Sequence, residues 1–158
     1  MAVSDGNPLS DQRSLLAGKA VVAWPNRGLV TVSGPDRLSW LDSLLSQKLD
    51  RLSPGVSTEA LLLDPHGHVE QAMRILDDGD TIGLLVDEGY AERLTAWLTK
   101  MRFMKDVKIS DYSEEFIAVG FFGAIPDALA AVTAEGNGIP LIWHDPWQAV
   151  AEGGWQYA

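Results

Sequence analysis

Three histidines, a scatter of serines, one isolated aspartate and a run of cations are the residues of this 158-residue chain that could do chemistry. His66 and His68 stand two apart across an Asp64-Pro65-His66-Gly67 turn, so a metal pair with His144 as third ligand is conceivable. Sites of that kind need further acids or histidines at fixed spacing, and here these are scattered. Ser33, Ser43 and Ser46 lack the G-x-S-x-G setting that exposes a nucleophile. There is no cysteine, which removes disulfides, thiolate catalysis and cysteine-ligated clusters from the chain. Gly34-Pro35-Asp36 opens a helix whose free N-H groups could hold an anion, but Pro35 removes a donor and neither phosphate-binding glycine pattern occurs. Arg93, Lys100, Arg102, Lys105 and Lys108 against Asp106 form a basic stretch able to meet an anionic ligand or a tail of carboxylates. The plainer reading is the solvated face and C-terminal end of a helix, where cations are favourable.

The totals narrow the partners. With 22 acidic residues against 12 basic, the net charge of -10 argues against a general nucleic-acid surface, which needs clustered Lys and Arg. The N-terminus has no apolar signal region, and the longest apolar run, Phe116 to Ile125, is too short for a bilayer. The expectation is a cytoplasmic protein with neither a membrane nor a nucleic acid as partner.

Stepping along the chain gives the elements that must position these residues. Residues 1–18 read as a loose arm. Ala20 to Trp24 is a short apolar run, and Pro25-Asn26-Arg27-Gly28 turns the chain into a strand over Leu29 to Val32. Leu38, Leu41, Leu44, Leu45 and Leu49 then recur at steps of three and four, which predicts an amphipathic helix with Pro35 at its first position and Asp36 in its first turn, running to Leu49. Ala60 to Leu63 is a strand apolar enough to be covered on both faces, and the Asp64-to-Gly67 turn returns it as His68 to Leu76, with Val69, Met73 and Ile75 on the apolar side. Thr81 to Val86 continues the meander. Asp87 to Met104 reads as a helix through Tyr90, Leu94, Trp97, Leu98 and Met101, and Val107 to Ile109 as a short strand. Asp87 also suits a helix N-cap. The order describes an α+β fold, a mostly antiparallel sheet with helices on one face, over residues 19–112.

Residues 113–158 read as part of a second α+β unit. It comprises a strand over Phe116 to Phe122, a helix over Pro126 to Ala134, a strand over Ile139 to Trp143, a turn at Asp145-Pro146-Trp147, and a strand beginning at Gly153 on which the chain stops. That stop reads as a truncated chain or a gene fragment. Trp143, Trp147 and Trp155 could make a stacking surface, with core filling the plainer alternative.

The series Val-Thr-Val-Ser-Gly-Pro-Asp with Trp40-Leu41, Leu61-Leu62-Leu63-Asp64-Pro65-His66-Gly67, Leu84-Leu85-Val86-Asp87 and Val107-Lys108-Ile109-Ser110-Asp111 resembles the N-terminal half of the folate-binding superfamily that contains the glycine cleavage T-protein. Within it the chain looks most like the YgfZ-type proteins associated with iron-sulfur enzyme assembly or repair. The resemblance implies a tetrahydrofolate derivative as ligand, with Gln71, Arg74 and Asp87 at the site, iron-sulfur client proteins as partners, and no metal. Family aminomethyltransferases carry an Asp-Asp-Leu segment after the glycine turn, one Asp being catalytic. Gln71 and Ala72 stand in that register here, and neither exchanges a proton near neutral pH. Glu70 is adjacent, but one step along a strand turns it to the opposite face. The YgfZ-type Lys-Gly-Cys-Tyr hallmark is absent. The resemblance therefore implies a non-catalytic folate binder. Two further readings stand beside it: a true aminomethyltransferase whose carboxylate lies outside this chain, and an interaction module that self-associates through an exposed strand edge.

Overall fold

The computed structural model describes residues 7–147. Its centre is a five-stranded antiparallel sheet built from β2 (Gly28–Ser33), β3 (Ser57–Leu63), β4 (Val69–Asp77), β5 (Thr81–Val86) and β6 (Lys108–Asp111), in the spatial order β3-β4-β5-β2-β6. Every neighbouring pair is antiparallel. Strand alternation sends Val30, Val32, Ala60, Leu62, Met73, Ile75, Ile82, Leu84 and Val86 to one face. Two helices cover that face: α2 (Arg37–Asp42) contributes Trp40 and Leu41, and α3 (Ala91–Met101) contributes Ala91, Leu94 and Leu98. The α+β class with helices on one face of a mostly antiparallel sheet is thus observed.

The first helix is much shorter than the leucine spacing predicts. After Asp42 the chain leaves the helix because Ser46 bonds β3 in both directions: its N-H donates to the Leu61 carbonyl at 2.9 Å, and its Oγ accepts from the Leu61 N-H at 2.9 Å. The Asp42 carboxylate seals the exit by accepting from the N-H groups of Leu49 and Asp50. Leu45 and Leu49 are buried all the same, so the spacing reported burial rather than an unbroken helix. The second helix is trimmed at both ends, by Gly89 at φ +76° and by Phe103 at φ +47°. Val69, expected on the apolar side, is exposed beside the turn.

The expected loose arm contains a helix, α1 (Pro8–Leu16), capped by the Asn7 side chain and burying none of its residues. The following run forms β1 (Val22–Trp24), which pairs with β7 (Ala118–Gly120). Past β7 come a single turn of helix, α4 (Asp127–Ala130), and a two-residue hairpin, β8 (Glu135–Gly136) with β9 (Ile139–Pro140). The strand expected over Ile139 to Trp143 is therefore cut to its first two residues. That hairpin is fastened to the sheet, since Asn137 Nδ2 donates to the Asp78 carbonyl at 3.0 Å and Gly136 lies too close to the Asp78 carboxylate to admit a side chain. The strand expected from Gly153 lies outside the described residues. Among the described residues no helix is long and apolar enough to cross a membrane.

One ion pair crosses this architecture in its interior. Arg37, at the start of α2, donates through Nε at 2.7 Å and Nη2 at 2.9 Å to the two carboxylate oxygens of Asp77, the last residue of β4, whose side chain is fully buried. Nη2 also bonds the Gly79 carbonyl, and the Gly79 N-H donates to Asp77 at 2.8 Å. The bond to Asp77 holds the guanidinium pKa further above its already high ordinary value. Removing one member of a buried pair strands the other, so Arg37→Met should cost about 3–5 kcal/mol in urea unfolding, and adding Asp77→Leu should restore much of the loss. Gly34→Ala should also destabilise, by more than about 1 kcal/mol: at φ +113° an added Cβ would lie 2.4 Å from the Asp106 carbonyl oxygen.

Candidate functional site

The end of the sheet where β4 and β2 begin and β5 stops gathers most of the chemistry. Gly28 pairs with Val86, and Arg74 pairs with Leu85, so Asp87 and Arg27 lie just past the β2–β5 pairing at this end, and Gln71, still paired with Leu62 of β3, lies past the β4–β5 pairing. Gly28 is required there, because a Cβ would sit 2.7 Å from the Ala91 Cβ at the head of α3. That close approach brings the Pro25-to-Gly28 turn against the Asp87-to-Tyr90 turn and leaves a cleft between them.

Asp87 is not the N-cap of α3. Tyr90 occupies that position, and Asp87 contributes only its carbonyl to the turn, accepting from the Tyr90 N-H at 3.2 Å. Its exposed carboxylate is instead ion-paired with Arg27, whose guanidinium also lies 5.3 Å from the centre of the Trp24 ring. Beside it Asn26 Nδ2 donates to Glu88 at 3.3 Å. The recess around Trp24, Arg27 and Asp87 encloses about 350 Å³, and an adjoining one of about 510 Å³ continues past Gly28 to Glu92, Asp111, Ser113, Glu114 and Glu115. Ser113 ties the far wall to the sheet by accepting from the Leu29 N-H at 3.1 Å. The walls are rich in carboxylate acceptors with one guanidinium among them, which suits a ligand presenting N-H donors.

The three residues implied by the resemblance are not gathered into one spot. Gln71 is 6% exposed and points to the core face, where its Nε2 donates to the Ala72 carbonyl at 2.6 Å. Glu70 is exposed. Arg74 lies on the opposite face from Gln71, stacked 5.2 Å from the centre of the Trp143 ring and facing Glu59. Trp143 and Trp147 are therefore neither core nor a free stacking surface: their indole N-H groups donate to the Thr58 carbonyl at 2.9 Å and to Glu59 at 2.8 Å, fastening residues 143–147 over the outer face of β3. Trp155 lies outside the described residues. Arg27, the ion-pair partner of Asp87, and Trp24 beside Arg27 are not marked in the sequence, which shows them only as neighbours of a turn.

The histidines do not converge. His144 donates its backbone N-H to Ser57 at the start of β3, whereas His66 and His68 sit beyond the far end of that seven-residue strand, about 20 Å away. Among the described residues no group of three or more His, Cys, Asp or Glu is placed to hold a metal ion. Asp64 instead organises the turn, accepting from the N-H groups of His66 and His68 at 2.8 Å each and from His68 Nδ1-H at 2.9 Å.

No family model matches the chain, and no curated protein matches it. Among solved structures its fold is similar to that of the glycine cleavage system aminomethyltransferase T from Bartonella henselae, with a TM-score of 0.57. The fold is T-protein-like. Sequence identity is 20%, and the match covers 66% of this chain and 30% of the aminomethyltransferase, so the chain spans about a third of that protein's length. At such identity the likeness establishes the fold alone.

Two outcomes follow from this geometry. The Arg27 pair is partly solvated, so Arg27→Ala should change unfolding stability by no more than about 1 kcal/mol while leaving Asp87 open to solvent. The hydrogen bond from His68, followed by those from the backbone, holds the Asp64 carboxyl below the usual carboxylate range. A carboxyl depressed on folding stabilises above its unfolded pKa of about 3.9, and that contribution fades as pH falls through the folded value. The melting temperature of Asp64→Asn should therefore lie below that of the parent at neutral pH and converge with it below about pH 4.

Proposed function

We propose that this chain is a folate-binding protein of the YgfZ type, which takes a tetrahydrofolate derivative at the open end of the sheet and works beside iron-sulfur proteins in the cytoplasm without itself transferring a one-carbon unit. One observation carries the reading. After the Gly67 turn, β4 presents Gln71 and Ala72, a buried amide and a methyl group, while the end of β5 keeps an accessible carboxylate in Asp87. An amide cannot act as a general acid or base, but a carboxylate at the mouth of a cleft can accept the N-H groups of a pterin. The T-protein-like fold supports the superfamily part of the proposal. The folate, the YgfZ-type role and the iron-sulfur clients rest on the resemblance of the motifs.

A second reading, an aminomethyltransferase, draws on the solved neighbour's own activity and on the chain spanning about a third of that protein. It requires a carboxylate from outside these residues.

The first test is a tryptophan-fluorescence titration with 5-formyltetrahydrofolate, corrected for ligand absorbance. Trp24 beside Arg27 is the reporter within the cleft. Saturable quenching is expected, weakened about tenfold in Asp87→Ala, as loss of a charged hydrogen-bond acceptor implies. A flat titration would refute folate binding by this chain. Aminomethyl transfer by this chain with a lipoylated carrier and tetrahydrofolate would refute the non-catalytic part.

A further inference from the structure

Between α3 and β6 the chain doubles back through residues 102–106, and this turn is fixed at its base from several sides. Trp40 Nε1 donates to the Met101 carbonyl at 3.3 Å, the Lys105 N-H to the Arg102 carbonyl at 3.0 Å, and the Asp106 N-H to the Asp36 carboxylate at 2.9 Å. Gly34 presses on the Asp106 carbonyl from below. On this base stand the two most exposed large apolar side chains among the described residues, Phe103 at 80% and Met104 at 99%.

Their exposure is not a by-product of folding economy. Phe103 holds φ at +47°, a conformation that costs a bulky residue and that Gly or Asn would adopt more easily. Its side chain recovers none of that cost inside the molecule. The cations around it are equally displaced from their expected role. Only Lys100 lies in the last turn of α3, while Arg102 and Lys105 lie in the turn itself and Lys108 just beyond it at the start of β6, and all four are exposed. The acids nearby are Asp106 and Asp36, the latter occupied by the Asp106 N-H.

A convex point with two apolar residues and a cationic collar offers no groove for a peptide. It gains burial only in a medium that deforms around it, and it gains electrostatically only where that medium is negative. A bilayer interface with acidic headgroups meets both conditions, with the apolar tip among the upper acyl carbons and the lysines at headgroup level. From this we infer that the Phe103-Met104 turn docks the protein peripherally on an anionic lipid surface. The inference is independent of the folate reading, and it revises the expectation of no membrane partner. The net charge of -10 opposes association of the chain as a whole with an anionic surface, so the contact depends on the local cations and is salt-sensitive.

The test is co-sedimentation of the full chain with vesicles of phosphatidylcholine, with and without phosphatidylserine, at low and high salt. Pelleting is expected only with phosphatidylserine and should fall with salt. It should drop about tenfold or more in Phe103→Asn/Met104→Ser and in Lys100→Glu/Lys105→Glu. Asn adopts the positive φ of residue 103 more easily than Phe, and both side chains removed are exposed, so Phe103→Asn/Met104→Ser should melt no lower than the parent and its loss of binding cannot be ascribed to unfolding. Equal pelleting with pure phosphatidylcholine, no pelleting with phosphatidylserine, or undiminished pelleting of the Phe103→Asn/Met104→Ser protein would overturn the inference. So would binding to a single-stranded oligonucleotide that competes with vesicles and depends on the lysines but not on Phe103.

Discussion

The buried Arg37–Asp77 pair is the constraint on which the sheet's upper layer depends. The fully buried Asp77 carboxylate alone would carry a desolvation penalty of several kcal/mol, which the partly buried Arg37 guanidinium offsets. The two-pronged geometry fixes direction as well as distance, because a guanidinium presents its donors in a rigid plane. A six-residue helix has little stability of its own, and α2 exists because this clamp holds its first residue while Trp40 and Leu41 enter the core. The same carboxylate shapes the β4–β5 turn through Gly79, so helix position and hairpin geometry are set by one group.

From that fixed corner the opposite end of the sheet follows. Antiparallel pairing of β2, β4 and β5 brings the beginnings of two strands and the end of the third together, and Gly28 lets α3 start directly against β2. The cleft there is edged mainly by turns, with Gly28 and Asp111 contributed by the sheet. Arg27, Asp87, Glu88, Glu114 and Glu115 thus ride on short loops, while Glu92 at the head of α3 and Asp111 at the end of β6 belong to the rigid frame that holds them.

Much of this was legible in the chain. The strands showed themselves because apolar residues alternate or run together between Gly, Pro and Asp, and Thr81 to Val86 was placed to the residue. The helix after β2 was overdrawn because periodic leucines record burial, and burial persists at Leu45 and Leu49 after the helix has ended. At the second helix the cause differs: the chain turns at Phe103, and Met104, where the helix was expected to end, is fully exposed. At the site, Asp87 was findable as the polar residue ending an apolar strand. Its partner Arg27 was not, since the two meet only through the β2–β5 register and nothing local marks an arginine in a turn as an ion-pair donor.

The sheet order carries a consequence for how the molecule is made. The strand that enters first, β2, lies between β5 and β6, and its two partners arrive some fifty and eighty residues later. During synthesis its valines have no sheet to join until Thr81 to Val86 and then Lys108 to Asp111 have emerged, whereas the β3–β4 hairpin can close as soon as it appears. Non-local pairing of this kind makes assembly slow and leaves an apolar strand unprotected on the nascent chain. The period of greatest exposure to aggregation is therefore written into the strand order, and it ends only when β6 docks.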